Sequence, residues 1–212
     1  MQGRRIWLDE AVSTAGTKGV PRARREQLIL DAAVAEIGRV GYAGLSLAGV
    51  AQRAEVSKPL VYTYFHAKDE IYLACVERAA ANLGAAIEAA VTAGGDLSMA
   101  RRTLDAIFTA LEPRPHDWTV VFDRTHPDEG AVADAIRAAR RGIAAQAARG
   151  VADVLGAVEL TDPADLSALT DVWMGTVTSL VTWWLRHPGE TAGQMSERSH
   201  RLIDALIAAA AR

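Results

Sequence analysis

The feature that most constrains this chain is an apolar repeat of three and four residues that returns along its length. Ile29, Ala33, Ile37 and Val40 follow it, as do Ile71, Cys75, Ala79, Leu83 and Ile87. A third run holds Leu166, Leu169, Trp173, Thr176, Leu180 and Trp184. This spacing lays one stripe along an α-helix, whereas on a strand it would scatter over both faces. Alanine is abundant and runs of Val, Ile and aromatic residues are scarce, which also favours helices. The predicted fold class is all-α, with about nine helices.

Punctuation places these helices. Pro21 opens the first, about 22–40, and Gly41 stops it in a left-handed conformation. Ser46 is placed to cap a short helix over 47–54. Ser57 is placed to cap the next, over 58–64, with Pro59 in its first turn. A long helix begins near Lys68, passes Ala90 and ends at Gly94 and Gly95. Further helices are predicted over 97–111, over 118–124, from after Pro127 to Leu155, over 163–186 with Asp162 as cap, and over 191–211. The polar stretch 1–20 reads as a mobile arm.

Composition narrows the function classes. No apolar run reaches the roughly 18 residues of a membrane helix, and Arg4 and Arg5 have no apolar stretch behind them to make a secretory signal. The single cysteine, Cys75, has no disulfide partner within the chain, which fits a cytoplasmic protein. Phosphate-binding glycine loops and the zinc-protease helix motif are absent. The histidines, at 66, 116, 126, 187 and 200, have no metal partner at helical spacing. No catalytic residue, metal ligand or cofactor is therefore expected. The net charge is −3, yet residues 18–68 hold eight basic residues against four acids. A basic head on an acidic body fits a nucleic-acid partner.

Within that head lie a Gly41-Tyr42 turn, the Ser46 cap, a Val50-Ala51 pair and an Ala54-Glu55-Val56-Ser57 turn. A short helix ending in Tyr62-Thr63-Tyr64-Phe65 follows, and then Lys68. This stretch closely resembles the DNA-binding signature of TetR-family regulators, over about 22–68. The resemblance implies a helix-turn-helix at 21–67, an effector-binding and dimerisation domain at 68–212, and a homodimer. Glu55 departs from the pattern, because the family usually has glycine there. A side chain at positive φ costs on the order of 1 kcal/mol.

The helix over 58–64 is about 10 Å long at 1.5 Å per residue, short enough to lay its N-terminal end in a major groove. Val61 and Phe65 are expected to face inward, towards Val50 and Ala54. Pro59, Leu60 and Thr63 then face base edges, where Leu60 and Thr63 can meet thymine methyls. Tyr62, Tyr64 and Lys68 resemble the family's phosphate-contacting positions, and an aromatic core cluster is the competing reading for the two tyrosines. Lys58 suits a phosphate or a guanine edge, and Ser46 with its helix N–H groups suits a phosphate. Ser57 completes the expected DNA-binding set. Arg22, Arg24 and Arg25 are either a DNA-reaching arm or a solvated helix start.

The resemblance further implies that the last two helices, 163–186 and 191–211, pair with those of a second copy. Leu180, Trp184, Leu202 and Leu206 are the expected interface residues. Trp183 and Trp184 lie about 100° apart on a helix, so one suits the core and the other the interface. The expected effector pocket is lined by Leu104, Phe108, Leu111, Trp118, Phe122, Trp173 and Val177. Thr176, Arg124 and His126 serve as its polar anchors, and an ordinary core is the alternative for each lining residue. The function so implied is a ligand-responsive regulator, a repressor by family default, that binds a palindromic DNA operator as a dimer. A small-molecule effector of unknown identity releases it, and no membrane is involved. The rival readings are a helical protein-interaction adaptor without DNA binding and a small helical enzyme. Nothing in the residues identifies the effector or the operator.

Overall fold

The computed structural model describes residues 21–93 and 98–210, apart from the side chains of residues 206, 207 and 210. The described residues form α1 (Arg22–Gly44), α2 (Leu47–Arg53), α3 (Lys58–Tyr64), α4 (Lys68–Thr92) and α5 (Ser98–Leu111). After these come α6 (Asp117–Phe122), α7 (Ala131–Gly156), α8 (Pro163–Leu185) and α9 (Ala192–Ala210). No strand occurs among them. The arm expected at 1–20 and the stop at Gly94 and Gly95 lie outside the described residues.

The caps show why the helices start where they do. Ser46 accepts a hydrogen bond from the Gly49 N–H at 3.0 Å and so starts α2. Asp162 does the same for α8, accepting from the Ala164 N–H at 2.7 Å. Ser57 differs from expectation, because it holds the cap position of α3 but makes no side-chain capping bond. Its carbonyl instead accepts the Leu60 N–H at 3.0 Å, and Pro59 removes one donor that would need satisfying. Gly41 breaks the helical path of α1 at φ 66 and ψ −179, and a last turn follows to Gly44.

The chain divides into two compact units. One takes in α1, α2, α3 and α6, with α4 up to Ala81 and α7 up to Arg140. Its core contains Ile29, Ile37, Val50, Val61, Ile71, Tyr72, Val120 and Ile136, all fully buried. The helix-turn-helix segment 21–67 shares this unit with α6 and the starts of α4 and α7. Cys75 lies in this core, and burial pushes its thiol up to about 12.

The second unit takes in α5, α8 and α9 with the remainders of α4 and α7. Leu83, Leu104, Ile107, Phe108, Leu111, Val181 and Met195 fill its core. Phe108 meets Trp184 edge to face at 5.4 Å. Among the described residues, Arg101 pairs with Asp204 between α5 and α9, and His200 Nε2 lies 2.9 Å from an Asp105 carboxylate oxygen.

Candidate nucleic-acid interface

The turn between α2 and α3 is tight. The Ala54 N–H donates to the Val50 carbonyl at 2.8 Å, and the Val56 N–H donates to that of Ala51 at 3.0 Å. Between them Glu55 sits at φ 53, in the left-handed region that glycine tolerates best. Behind the turn, Glu36 of α1 is 5% exposed. It accepts from Arg39 Nη2 at 2.6 Å and from Arg53 Nε at 3.0 Å, which ties α1 to the end of α2. The Arg39 bond holds its carboxyl below the usual range against burial, and Arg53 adds to the effect.

Helix α3 divides by face as its spacing predicts. Val61 and Phe65 are buried, whereas Lys58, Pro59, Tyr62 and Thr63 are exposed and Leu60 and Tyr64 half-buried. The Thr63 hydroxyl donates to the Pro59 carbonyl at 3.0 Å. Thr63 is thus left to meet a base through its methyl or as an acceptor. Two cations stand on the tyrosines: Lys58 Nζ lies 5.7 Å from the Tyr62 ring centre, and the Arg22 guanidinium 5.3 Å from that of Tyr64. Arg22, one of the arm arginines, is therefore held at the end of α3.

Lys68 is more constrained than its sequence position suggests. Its Nζ donates to the Tyr42 carbonyl at 3.3 Å and lies 4.0 Å from the centre of the Tyr42 ring. The Tyr42 hydroxyl in turn donates to Asp69 at 2.5 Å. Burial and that carboxylate push the Tyr42 phenol up to about 12.

A residue that sequence reasoning missed completes this corner. Asp123, just after α6, is 6% exposed. Its carboxylate accepts the Tyr42 N–H at 2.7 Å, the Tyr72 hydroxyl at 3.0 Å, and both the N–H and hydroxyl of Thr125 at 2.8 Å. Burial opposes ionisation, but the Thr125 and Tyr42 N–H bonds prevail and hold the carboxyl below its usual range. Arg140 of α7 fastens the same segment, donating to the carbonyls of Val121 at 2.8 Å and Asp123 at 2.6 Å. The one available sequence signal is Asp123-Arg124-Thr125 after an apolar run, an Asx-turn pattern.

The expected effector residues fall in separate places. Leu104, Phe108, Leu111 and Val177 are buried in the second unit, where Trp173 is half-buried and Thr176 exposed. The Thr176 hydroxyl donates to the Val172 carbonyl at 2.9 Å. Trp118 and Phe122 belong to the first unit and stack at 4.4 Å. The Trp118 indole N–H is buried with no acceptor among the described residues. Arg124 is exposed, and His126 is half-buried with Nδ1 2.6 Å from the Pro127 carbonyl oxygen.

For the expected dimer face, Leu202 is 50% exposed and Leu180 half-buried. The Leu206 side chain lies outside the described residues. Trp184 requires a correction. It is 2% exposed within its own chain, packs on Phe108 and donates from Nε1 to the Glu190 carbonyl at 2.8 Å. It is core, and Trp183 is the more exposed of the pair. Trp183 stacks on His187 at 3.8 Å and carries Arg198 at 5.0 Å.

A short helix presenting polar and aromatic side chains, seated on an apolar seam behind a tight turn, makes α2 and α3 a helix-turn-helix. Residues 29–75 match the family described as bacterial regulatory proteins of the tetR family. The family likeness thus lies in the segment that carries α2 and α3. It is similar to the HTH-type transcriptional activator FasR of Mycolicibacterium smegmatis, at 31% identity over 117 residues, 55% of this chain and 53% of that protein. The chain thus matches about half the length of this curated relative. Its fold is similar to that of FadR from Bacillus subtilis, solved with stearoyl-CoA: TM-score 0.63, 18% identity, 85% of this chain and 96% of that one. It is also similar to AibR, solved with isovaleryl coenzyme A and operator DNA: TM-score 0.67, 15% identity, 82% and 95% coverage. No group of described residues could hold a metal ion, and no described helix is long and apolar enough to cross a membrane.

Proposed function

We propose that this protein binds a palindromic DNA operator as a homodimer through α3 and lets go when a small-molecule effector binds. The observation that carries the reading is the outward face of α3, where Lys58, Pro59, Tyr62 and Thr63 are exposed over a seam of buried Val61 and Phe65. Pro59, Leu60 and Thr63 face the base edges. Ser46, Ser57, Lys58, Tyr62, Tyr64 and Lys68 hold the phosphate backbone, which positions the head without reading sequence. The functional division into a DNA-binding segment 21–67 and an effector-binding and dimerisation segment 68–212 is part of this reading. So is a cytoplasmic location, where the operator is.

The second copy docks on α8 and α9. Leu169 and Val172 on α8 and Leu202 on α9 are large, apolar and exposed in the single chain. Leu180 and Leu206 extend the same two helices. The effector is an acyl-coenzyme A thioester, a class supported by the ligands of FadR and AibR. Leu104, Phe108, Leu111 and Val177, with Trp173 and Thr176, offer apolar surface for an acyl chain. The regulatory sign follows operator position, repression where operator and promoter overlap, although the relative FasR is an activator by name.

A duplex selected by the protein from random sequence, titrated with acyl-coenzyme A thioesters of increasing chain length, tests both halves. The expected result is tight binding to one palindrome and release by a subset of the thioesters. Failure to select any duplex defeats the DNA reading. Selection without any thioester response defeats only the effector class.

A further inference from the structure

Between α6 and α7 lies a residue 81 positions from its principal partner in sequence, yet bound directly to the corner on which the helix-turn-helix turns. Asp123 accepts the Tyr42 N–H, and the other groups of Tyr42 face Lys68 and Asp69. One residue therefore stands between a buried carboxylate and the lysine that opens α4. The preceding residue is under the same control. Gly41 holds φ 66, and the Thr125 side chain occupies the space its Cβ would need. Thr125 is itself fixed by two donations to Asp123. The Tyr72 hydroxyl adds a bond from α4, and its oxygen also lies 3.3 Å from the Val120 carbonyl oxygen. Segment 123–125 is thus a template against which the α1–α2 corner and the start of α4 are set.

We infer that Asp123 is a positioning residue for DNA binding: acting through Tyr42, it holds the Lys68 ammonium in the geometry that meets the phosphate backbone. The inference rests on the DNA-binding reading above. The physical reason is the concentration of bonds on one carboxylate. An ionised acceptor of several donors is roughly twice as strong per bond as a neutral one, and a buried site loses more when the bonds are broken. Asn in its place keeps the volume but exchanges one acceptor oxygen for a donor that must face N–H and O–H groups. The corner then has to move, and the Lys68 ammonium moves with the Tyr42 carbonyl that anchors it.

The test uses the full chain and a duplex selected by the wild type. Binding is measured against salt for wild type, Asp123→Asn, Tyr72→Phe, Lys68→Ala and the Asp123→Asn/Lys68→Ala pair, with the melting temperature of each. Asp123→Asn is expected to weaken binding at least about tenfold and to lower the salt slope by about two counterions, one lost phosphate contact in each half of the dimer. On the Lys68→Ala background it should add little. Tyr72→Phe removes one of the bonds and should give a smaller loss of the same kind, which keeps the test alive if Asp123→Asn folds poorly. A purely structural role would lower the melting temperature while leaving the salt slope and the affinity of the folded fraction unchanged, and that result overturns the inference. Additive effects of Asp123→Asn and Lys68→Ala overturn it as well. A wild type that selects no duplex defeats the DNA-binding reading and this inference with it.

Discussion

Glu55 shows how one side chain can work against its own backbone. At φ 53 it occupies a conformation that costs an L-residue about 1–2 kcal/mol. Glycine relieves that cost but gives back roughly 0.4–1 kcal/mol through the greater freedom of the unfolded chain. From the backbone alone, Glu55→Gly should raise the unfolding free energy by about 0.5 kcal/mol, measurable in urea. On the proposed docking, which brings the phosphates near this turn, it should also tighten DNA binding by removing a negative charge. A clear loss of both stability and affinity would mean that the carboxylate makes a contact worth more than the strain. On α3, Tyr62→Phe and Thr63→Ala should part company. Losing one phosphate hydrogen bond should weaken all sequences alike by about 0.5–1.5 kcal/mol, whereas losing a groove-facing methyl should alter base preference. Repeating the duplex selection with each variant decides this, and a changed consensus for Tyr62→Phe would reverse the docking of α3.

Helix α6 illustrates what an element requires from its neighbour. His116, at its N-terminal end, lies so close over Gly38 of α1 that a Cβ there would overlap the imidazole. Thr125, beyond its C-terminal end, sits in the same relation to Gly41. Two glycines three residues apart thus let α6 and its flanks lie against α1. Gly38→Ala should cost about 1–3 kcal/mol by overpacking, seen as a lower denaturation midpoint at unchanged slope. Burial, reinforced by the Arg53 cation and opposed by Asp117, holds the His116 imidazole below its usual pKa. The unfolded chain takes up a proton near pH 6.5, the folded chain only lower. The contribution of His116 is therefore complete above pH 6.5 and is lost as pH falls through that value towards the lowered one. His116→Gln should flatten that part of the stability profile, and an equally steep fall in the variant would assign it to another group. The helices themselves were legible in sequence, because periodicity and caps such as Ser46 and Asp162 are local signals. Glu55 was legible too, through the turn it interrupts. The Asp123 cluster was not, since its partners come together only after folding. Nor could sequence choose between Trp183 and Trp184, which Phe108 decides by packing against Trp184.

At the scale of the whole molecule, charge is unevenly shared, with eight basic residues in 18–68 on a chain of net charge −3. If a dimer neutralises six to ten phosphates, affinity should fall about 10³–10⁵-fold between 50 and 200 mM salt. The dimer itself is tested on α8. Val172 is 62% exposed, Leu169 38% and, on α9, Leu202 50%. Full burial of such a side chain is worth roughly 1.5–3 kcal/mol, so a second copy covering this face has a clear driving force. A carboxylate at Val172 costs the isolated chain little, because the position is already in water, but an interface closing over it would bury an unpaired charge. Val172→Glu should therefore sediment as a monomer with an unchanged melting curve at low protein concentration. A palindrome has half-sites one helical turn apart, about 34 Å, and a symmetric dimer fills both at once. Within a dimer the second head binds at an effective concentration in the millimolar range. Without it, affinity should drop by two or more orders of magnitude, while a single half-site duplex is bound by wild-type and variant heads equally. Sedimentation and paired titrations on full and half-site duplexes separate the outcomes. A wild type that is monomeric at micromolar concentration, or a Val172→Glu variant that stays dimeric and binds the palindrome as before, would place the interface on some other face of the chain.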